Sequence, residues 1–122
     1  IQAPSIVGEQ DFRGQQRLKE IQQYVAQHYQ EPIEMQALAA LAHLSEAAFC
    51  RFFKKNTGLT FTEYLNKYRI QAARQLLMTD HTVTEACYGS GFAHLSHFNK
   101  TFKTLTGENP SEFKKKHVAG FR

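Results

Sequence analysis

The chain contains an internal repeat, which limits its possible folds more than any other sequence feature. Residues of the second half match residues 49 positions earlier, over a stretch that ends in Thr-Gly. The matched residues are Phe49, Arg51, Phe53, Lys54, Thr57 and Gly58 in the first copy and Phe98, Lys100, Phe102, Lys103, Thr106 and Gly107 in the second. Self-similarity at one offset indicates that a single structural unit is present twice.

The repeat continues upstream with an offset of 48 residues. The matched residues there are Leu38, Ala39 and Leu44 in the first copy and Ala86, Cys87 and Phe92 in the second. The one-residue difference falls in a turn, where an insertion is tolerated. Each copy reads as a short helix, a tight turn and a longer helix, which is the order of a helix-turn-helix unit.

Hydrophobic periodicity, capping residues and helix breakers predict the individual helices. The predicted helices cover residues 13–29, 34–43, 46–56, 61–78, 83–88 and 95–104. Ser45 is placed to cap the third helix, and Gly58 is placed to end it. Residues 1–12 lack periodicity and do not begin with Met, so we expect a linker tail and a fragment of a longer protein. A second tail is expected at 118–122.

The helix predicted for residues 61–78 is apolar on two faces and, at about 1.5 Å per residue, roughly 27 Å long. The first apolar stripe consists of Phe61, Tyr64, Leu65, Tyr68 and Ala72, and the second of Ile70, Ala73 and Leu77. Such a helix has to be buried on two sides, so we expect it to join two lobes. The predicted division is a first helix-turn-helix lobe at 13–58, a linker helix at 59–79 and a second lobe at 80–117.

Charge is distributed unevenly along the chain. Residues 1–44 hold three Lys or Arg and five acidic residues, whereas residues 45–122 hold twelve and six. A basic second part suits a polyanionic partner, because neutralising phosphates releases counterions, although charge alone is also compatible with a solvated basic face. No apolar run approaches the roughly 20 residues of a membrane span, and no signal peptide or cysteine framework is visible. We therefore expect a cytoplasmic protein without a membrane partner.

The repeat, the joining helix and the ending of the chain together resemble the C-terminal DNA-binding domain of the AraC/XylS family, over about residues 13–117. The residues that match its C-terminal signature and linker-helix pattern are Ala86–Phe92, Ser96, Phe98, Phe102, Lys103, Gly107, Pro110, Ser111 and Phe113, and Arg69, Ala73, Leu76 and Leu77. The resemblance implies an all-α fold of about seven helices and an activator or repressor. The partners expected are double-stranded promoter or operator DNA, RNA polymerase, and an upstream effector-binding or dimerisation domain outside this chain.

Helical geometry predicts which side chains of the first recognition helix face DNA. Phe49, Phe52 and Phe53 define the inward side. The side chains opposite them or at the edges are Ala47, Ala48, Cys50, Arg51, Lys54 and Lys55. Arg51 is the leading base reader because a guanidinium can hold guanine O6 and N7, whereas Ala47 offers only an apolar contact to thymine. Cys50 is a weaker candidate, and the phosphate candidates are Ser45, Lys54 and Lys55.

The second recognition helix carries equivalent positions. Phe98, Phe102 and Leu105 are expected to point inward. The side chains expected opposite them or at the edge are Ser96, His97, Lys100, Lys103 and Thr104. Lys100 is the counterpart of Arg51, and the resemblance adds Ser96 and His97 as further base candidates. Lys103 and Thr104 are phosphate candidates. Leu95 is a weaker DNA candidate, because the resemblance puts it near the bases and geometry puts it toward the core.

Two recognition helices on a rigid joint can enter major-groove segments about one DNA turn, roughly 34 Å, apart. We therefore expect a monomer of this domain to bind an asymmetric site of two unlike half-sites, with DNA bending if the spacing is imperfect. Arg69 lies beside the first apolar stripe of the joining helix. Its side chain is compatible with two roles, a structural ion pair and a contact with a DNA phosphate.

Functions of other classes are less well supported by the sequence. Cys87, His94 and His97 cluster, but Cys87 aligns with a buried position and His94 with a capping position, so we expect no metal and no cofactor. No phosphate-binding loop, carboxylate pair or activated nucleophile is visible, which argues against an enzyme. The alternatives that stay open are a non-specific architectural DNA binder and a helical protein-interaction module, and competition with unrelated DNA distinguishes them from a specific regulator.

Overall fold

The structure is a computed structural model that describes the backbone of residues 2–119 and the side chains of residues 12–117. Every regular element in that part is a helix, which confirms the expected all-α fold of about seven helices. The helices are α1 (Gln2–His28), α2 (Met35–Leu41), α3 (Glu46–Thr57), α4 (Phe61–Leu77), α5 (Val83–Gly89), α6 (Leu95–Thr106) and α7 (Pro110–Ala119). None of the described helices has the length and apolar character needed to cross a bilayer.

Helix α1 begins at Gln2, well before the start predicted near Arg13. The backbone of the segment expected to be a linker tail is therefore helical from residue 2, and its function as a linker stays a prediction. Pro4 lies in the first turn, where an absent N–H costs little because the first N–H groups of a helix have no intrahelical partner. Periodicity detects only helical turns with an apolar face, so it missed this segment. The tail predicted at 118–122 overlaps the end of α7, and residues 120–122 lie outside the described residues.

The chain divides into two compact units. Unit 1 consists of the residues up to His28 together with Ile33–Phe61, and unit 2 consists of Tyr29–Pro32 together with the residues from Thr62 onward. The function of α4 as a linker helix, with lobe boundaries at 13–58, 59–79 and 80–117, stays a prediction.

The interior of unit 1 is built from α1, α2 and α3. Its fully buried side chains include Ile21, Val25, Leu38, Phe49 and Phe53. The rings of Phe49 and Phe53 also contact Phe61 at the start of α4, with centroid distances of 5.9 and 5.4 Å. Ile21 and Val25 lie one turn apart on α1 and mark the side of this helix that faces the core.

Unit 2 has its own hydrophobic core, to which the second apolar stripe of α4 belongs. The core residues are Ile70, Ala73, Leu77, Ala86, Cys87, Phe92, Phe98, Phe102 and Phe113. Phe98, Phe102 and Phe113 form a chain of edge contacts with centroid distances of 5.7 and 5.5 Å. Burying each such ring contributes about 1.5–3 kcal/mol, so this cluster fixes the position of α6.

The repeat seen in the sequence is present in the hydrogen bonds that end α3 and α6. Thr57 Oγ1 lies 2.8 Å from the carbonyl of Phe53, and Thr106 Oγ1 lies 2.7 Å from that of Phe102. The next residue is in each case a glycine with a left-handed backbone, at φ 77° and 90°. A left-handed residue after the last turn is the usual glycine stop of a helix, so both copies end by one local mechanism.

The turns inside the two copies are also equivalent. The amide of Leu44 donates to the carbonyl of Ala39 at 2.9 Å, and the amide of Phe92 donates to that of Cys87 at 3.1 Å. These are the pairs that an offset of 48 residues predicts. The one-residue change of offset therefore falls between this turn and the start of the longer helix.

Candidate nucleic-acid interface

Helix α3 is held by a defined cap and by buried aromatic side chains. Ser45 precedes the helix in an extended conformation, and its Oγ accepts a hydrogen bond from the amide of Ala48 at 3.1 Å. This confirms the predicted cap, which satisfies an amide that the helix leaves unpaired. Phe49 and Phe53 are fully buried and lie 5.8 Å apart, so one side of α3 faces inward.

The opposite side of α3 is open to solvent. The exposed candidates are Ser45, Ala47, Cys50, Arg51, Lys54 and Lys55, and Ala48 is half-buried at the edge. Ser45 uses an oxygen lone pair for the cap and keeps its hydroxyl proton for a further acceptor. The geometry therefore brings the candidates of the first helix to one surface, and their contacts with DNA remain a prediction.

Helix α6 is oriented in the same way. Phe98 and Phe102 are fully buried. The exposed candidates are Leu95, Ser96, His97, Lys100, Lys103 and Thr104. The ring of His97 meets that of Phe92 at 5.5 Å, edge to face, which limits the directions that its imidazole can take. His94 takes the N-cap position as predicted, but its side chain makes no capping hydrogen bond.

Two positions that helical geometry turned inward, Leu105 and Leu95, are exposed, and a third, Phe52, is half-buried. Leu105 is 41% exposed, because it lies in the last turn of α6 beside an open groove that Lys67 and Arg74 of α4 also line. Phe52 is only half-buried and carries the guanidinium of Arg17 5.8 Å from its ring centroid. Leu95, which geometry turned toward the core, is 36% exposed.

Arg69 has a structural role within unit 2. Its Nε donates to the carbonyl of Tyr29 at 2.8 Å, and its Nη2 donates to the carbonyl of Glu31 at 2.9 Å. Both carbonyls belong to the segment Tyr29–Pro32, which is part of unit 2. Burial lowers the pKa of the Arg69 guanidinium, a group that is not deprotonated in proteins. A structural contact is thus present, and it is made to backbone carbonyls rather than to the carboxylate that the sequence suggested.

A capping box that sequence reasoning missed begins α5, the first helix of the second helix-turn-helix unit. Thr82 Oγ1 accepts from the amide of Glu85 at 3.0 Å, and the Glu85 carboxylate accepts from the amide of Thr82 at 2.8 Å. The hydrogen bond from the Thr82 backbone is the main reason that the pKa of Glu85 lies below its ordinary value. The Thr-x-x-Glu spacing is a recognised signal, so the sequence could have shown this capping box as well as the helix start predicted at residue 83.

Cys87 packs in the core of unit 2, as its alignment with Ala39 predicted. Burial raises the pKa of its thiol, which disfavours the thiolate that a metal requires. Within the described residues, no group of three or more His, Cys, Asp or Glu side chains is arranged to hold a metal ion.

Comparison with known proteins relates this geometry to a family. The model of a family described as "Helix-turn-helix domain" matches residues 38–116. The HTH-type transcriptional activator RhaS of Salmonella schwarzengrund is 33% identical over 99 residues, which is 80% of this chain and 36% of RhaS. RhaS of Enterobacter sp. (strain 638) is similar to the same extent.

Two solved structures share the fold over most of the chain. The DNA-binding domain of AdpA, a global transcriptional factor solved in complex with a target DNA, is 27% identical with a TM-score of 0.79, covering 84% of this chain and 93% of that chain. A probable AraC family transcriptional regulator from Rhodopseudomonas palustris CGA009 is 28% identical with a TM-score of 0.75, covering 84% and 97%.

The fold and the matched segment define a helix-turn-helix domain of a transcription regulator, which is not a class of enzymes. More specifically, the chain belongs to the AraC/XylS family, as a DNA-binding domain of that family. It spans about a third, 36%, of the length of the curated relatives that it matches.

Proposed function

We propose that this chain binds one asymmetric DNA site as a monomer, with α3 and α6 inserted into two segments of the major groove. The observation that carries the proposal is the pair of equivalent exposed faces on α3 and α6, each opposite a buried pair of Phe residues. A single α-helix fits the width of the major groove, where every base pair presents a distinct hydrogen-bonding pattern. The similarity to the AdpA domain, solved with a target DNA, supports double-stranded DNA as the ligand.

Arg51 and Lys100 are the principal base readers in this proposal. Both are exposed, and both lie in the middle of their helices at positions related by the repeat. Cationic side chains there can donate to O6 and N7 of guanine. Ser96 and His97 add single hydrogen bonds in the second half-site, and Ala47 adds an apolar contact in the first. Cys50 and Leu95 are weaker candidates at the edges of the two faces.

The remaining exposed candidates hold phosphates and thereby set the position of the domain on DNA. They are Ser45, Lys54, Lys55, Lys103 and Thr104. Contacts with phosphates add affinity without sequence preference. We propose that α4 acts as a linker helix and sets the two recognition helices roughly 34 Å apart, the distance that returns to the same side of DNA after one turn.

The parent protein is proposed to be a cytoplasmic activator or repressor that also contacts RNA polymerase. The curated relatives are more than twice as long as this chain, since the 99 matched residues make up 36% of their length. We propose that an additional domain of the parent supplies effector binding or dimerisation, and that the parent has no catalytic activity. In vitro transcription with the full-length protein, with and without the selected operator, measures the sign of regulation.

Selection of random duplex DNA at near-physiological salt tests the proposed function. We expect two conserved blocks about ten base pairs apart, centre to centre, with different sequences. A single conserved block would contradict the two-groove arrangement. Salt-dependent binding without enrichment of any sequence would contradict specific recognition and favour an architectural DNA binder, and the absence of DNA binding would favour a protein-interaction module.

Substitutions then separate base readers from phosphate contacts. Arg51→Ala and Lys100→Ala should each weaken binding of the selected site by about 1–3 kcal/mol and relax the preference at one base pair. Lys54→Ala is the matched control, because it removes one cation from the same face as Arg51 and should weaken all sequences alike. A set of selected sequences that Arg51→Ala leaves unchanged would refute the assignment of Arg51.

A further inference from the structure

Unit 1 contains a basic groove, and of the cations that line it only Lys55 is among the candidate DNA contacts named above. It lies between α1 and the last turns of α3 and has a volume of about 540 Å³. Three cationic side chains line it, Arg13 and Arg17 from α1 and Lys55 from α3, and none of the lining residues is acidic. The groove therefore concentrates positive charge that comes from two helices.

The walls of the groove are held in place by packing and hydrogen bonds. The guanidinium of Arg17 is half-buried and lies 5.8 Å from the centroid of the Phe52 ring. The side-chain amide of Asn56 donates to the carbonyl of Phe52 at 2.8 Å. A methyl group placed on Gly14 would meet the Phe52 ring at 3.9 Å, an ordinary contact, so this ring lies directly against α1. The cations consequently sit around a fixed aromatic side chain.

The arrangement of charges favours an anion. Arg13 and Arg17 are one turn apart on α1, and like charges at this spacing repel each other. The carboxyl end of α3 carries a partial negative charge of about half a unit, which the three cations exceed. A bound phosphate would relieve the repulsion and give the guanidinium groups an acceptor that matches their geometry.

We infer that this groove binds a phosphate group, supplied by the DNA backbone that flanks the first half-site. The inference rests on the proposed function, because Lys55 lies one turn after Arg51 and only about 40° further around α3. The groove thus continues the edge of the base-reading face. Arg13 and Arg17 extend the phosphate contacts of the domain from the recognition helix to α1.

Salt titrations of matched variants test the inference with the full chain. Arg13→Gln and Lys55→Gln each remove one groove cation, and Lys19→Gln is the control because Lys19 is exposed on the same helix but does not line the groove. On the selected duplex, each groove variant should reduce the slope of log affinity against log salt by about 0.9. When salt is raised from roughly 50 to 200 mM, the affinity of such a variant should therefore fall by a factor about three times smaller than the affinity of the wild-type chain. The base preference should not change, and thermal unfolding monitors the fold of each variant.

Two further arms identify the source of the phosphate. Trimming the duplex outside the first half-site should lower the slope of the wild-type chain to that of Arg13→Gln if the DNA backbone supplies it. Titration with inorganic phosphate, followed through the amide signals of Gly14, Gln15 and Asn56, measures binding of the free anion. Saturable shifts together with an unchanged DNA slope would overturn the assignment to DNA and identify a free-phosphate site.

Failure of the groove and failure of the proposed function have different signatures. An Arg13→Gln variant that behaves like Lys19→Gln on a selected site overturns the groove inference and leaves specific recognition intact. Groove variants that lower the salt slope on random duplex DNA, in a chain that selects no sequence, support the groove and overturn specific recognition.

Discussion

Replacing Gly91 by alanine should destabilise unit 2 far more than the same change at another left-handed glycine. Gly91 lies in the turn between α5 and α6 with φ +102°. An added Cβ would lie 2.1 Å from the carbonyl oxygen of Tyr29 and 2.7 Å from Nε of Arg69. The first copy of the repeat has His43 at the corresponding position, with φ 59°. A left-handed backbone is therefore tolerated at this turn, and the nearby carbonyl is the specific reason for glycine at position 91.

The magnitude can be estimated by comparison with Gly107. That residue has φ +90° and no atom within 4 Å of an added Cβ, so Gly107→Ala introduces only the backbone strain of about 1–2 kcal/mol. In Gly91→Ala the Tyr29 carbonyl must also move, and its 2.8 Å hydrogen bond from Arg69 is lost. Losing a hydrogen bond to a charged, half-buried donor costs about 1.5–3 kcal/mol. We expect Gly91→Ala to cost about 2.5–5 kcal/mol in total.

Urea denaturation followed by circular dichroism measures both variants against the wild-type chain. The expected result is a difference of about 2 kcal/mol between Gly91→Ala and Gly107→Ala at similar slopes of unfolding. Arg69→Gln should recover part of this difference when combined with Gly91→Ala, since the Arg69 bond is already broken in the variant. Equal losses for the two glycine variants would refute the reasoning, because strain alone would then account for both.

Other side chains allow shorter tests. Phe102→Ala should lower the free energy of unfolding by about 3–5 kcal/mol, because its fully buried ring contacts Phe98; a urea titration that gives less than about 1 kcal/mol would contradict the core assignment. The folded-state pKa of Glu85 lies below its unfolded value of about 4.3, so its stabilisation is present above that pH and is lost as the pH falls through the folded pKa. The difference in Tm between the wild-type chain and Glu85→Gln should accordingly shrink between pH 7 and pH 3, and a constant difference would argue against it. Iodoacetamide should label Cys50, which is exposed, and spare Cys87, whose thiol pKa is raised by burial; peptide mass spectrometry detects either outcome, and selected DNA should slow the labelling of Cys50.

The features that sequence predicted correctly are those encoded locally. The spacing from Phe53 through Thr57 to Gly58 places a buried ring, a hydroxyl near a helix carbonyl and a left-handed stop within six residues. The same spacing recurs 49 residues later with the same outcome. Helix ends, turns and inward Phe pairs therefore followed from the repeat without knowledge of the tertiary structure.

The errors came from assuming that a helical face is buried along its whole length. Helical angle placed Leu105 beside Phe98 and Phe102, but the last turn of α6 borders an open groove. The repeat argued against an inward Leu105, because the equivalent residue in the first copy, 49 positions earlier, is the polar Asn56, which is exposed in the structure. Comparing the two copies position by position would have been a better guide there than helical angle.

Tertiary contacts over long sequence separations could not be predicted. The partners of Arg69 are backbone carbonyls about 40 residues earlier, and carbonyls carry no sequence signature. The basic groove in unit 1 likewise brings Arg13 and Arg17 beside Lys55, although α1 and α3 are far apart in sequence. Only the spacing of the two arginines, one turn apart, was visible beforehand.

The two copies have kept one framework and changed the side chains that it presents. The buried rings, the Thr-Gly helix ends and the turn hydrogen bonds are equivalent in both copies. The exposed positions are not, since Ala47 and Arg51 of α3 correspond to Ser96 and Lys100 of α6. A methyl group cannot replace the hydrogen bond of a serine, and a planar guanidinium binds guanine differently from an ammonium. One monomer with such helices presents two different chemical faces, which fits two unlike half-sites and disfavours a palindrome.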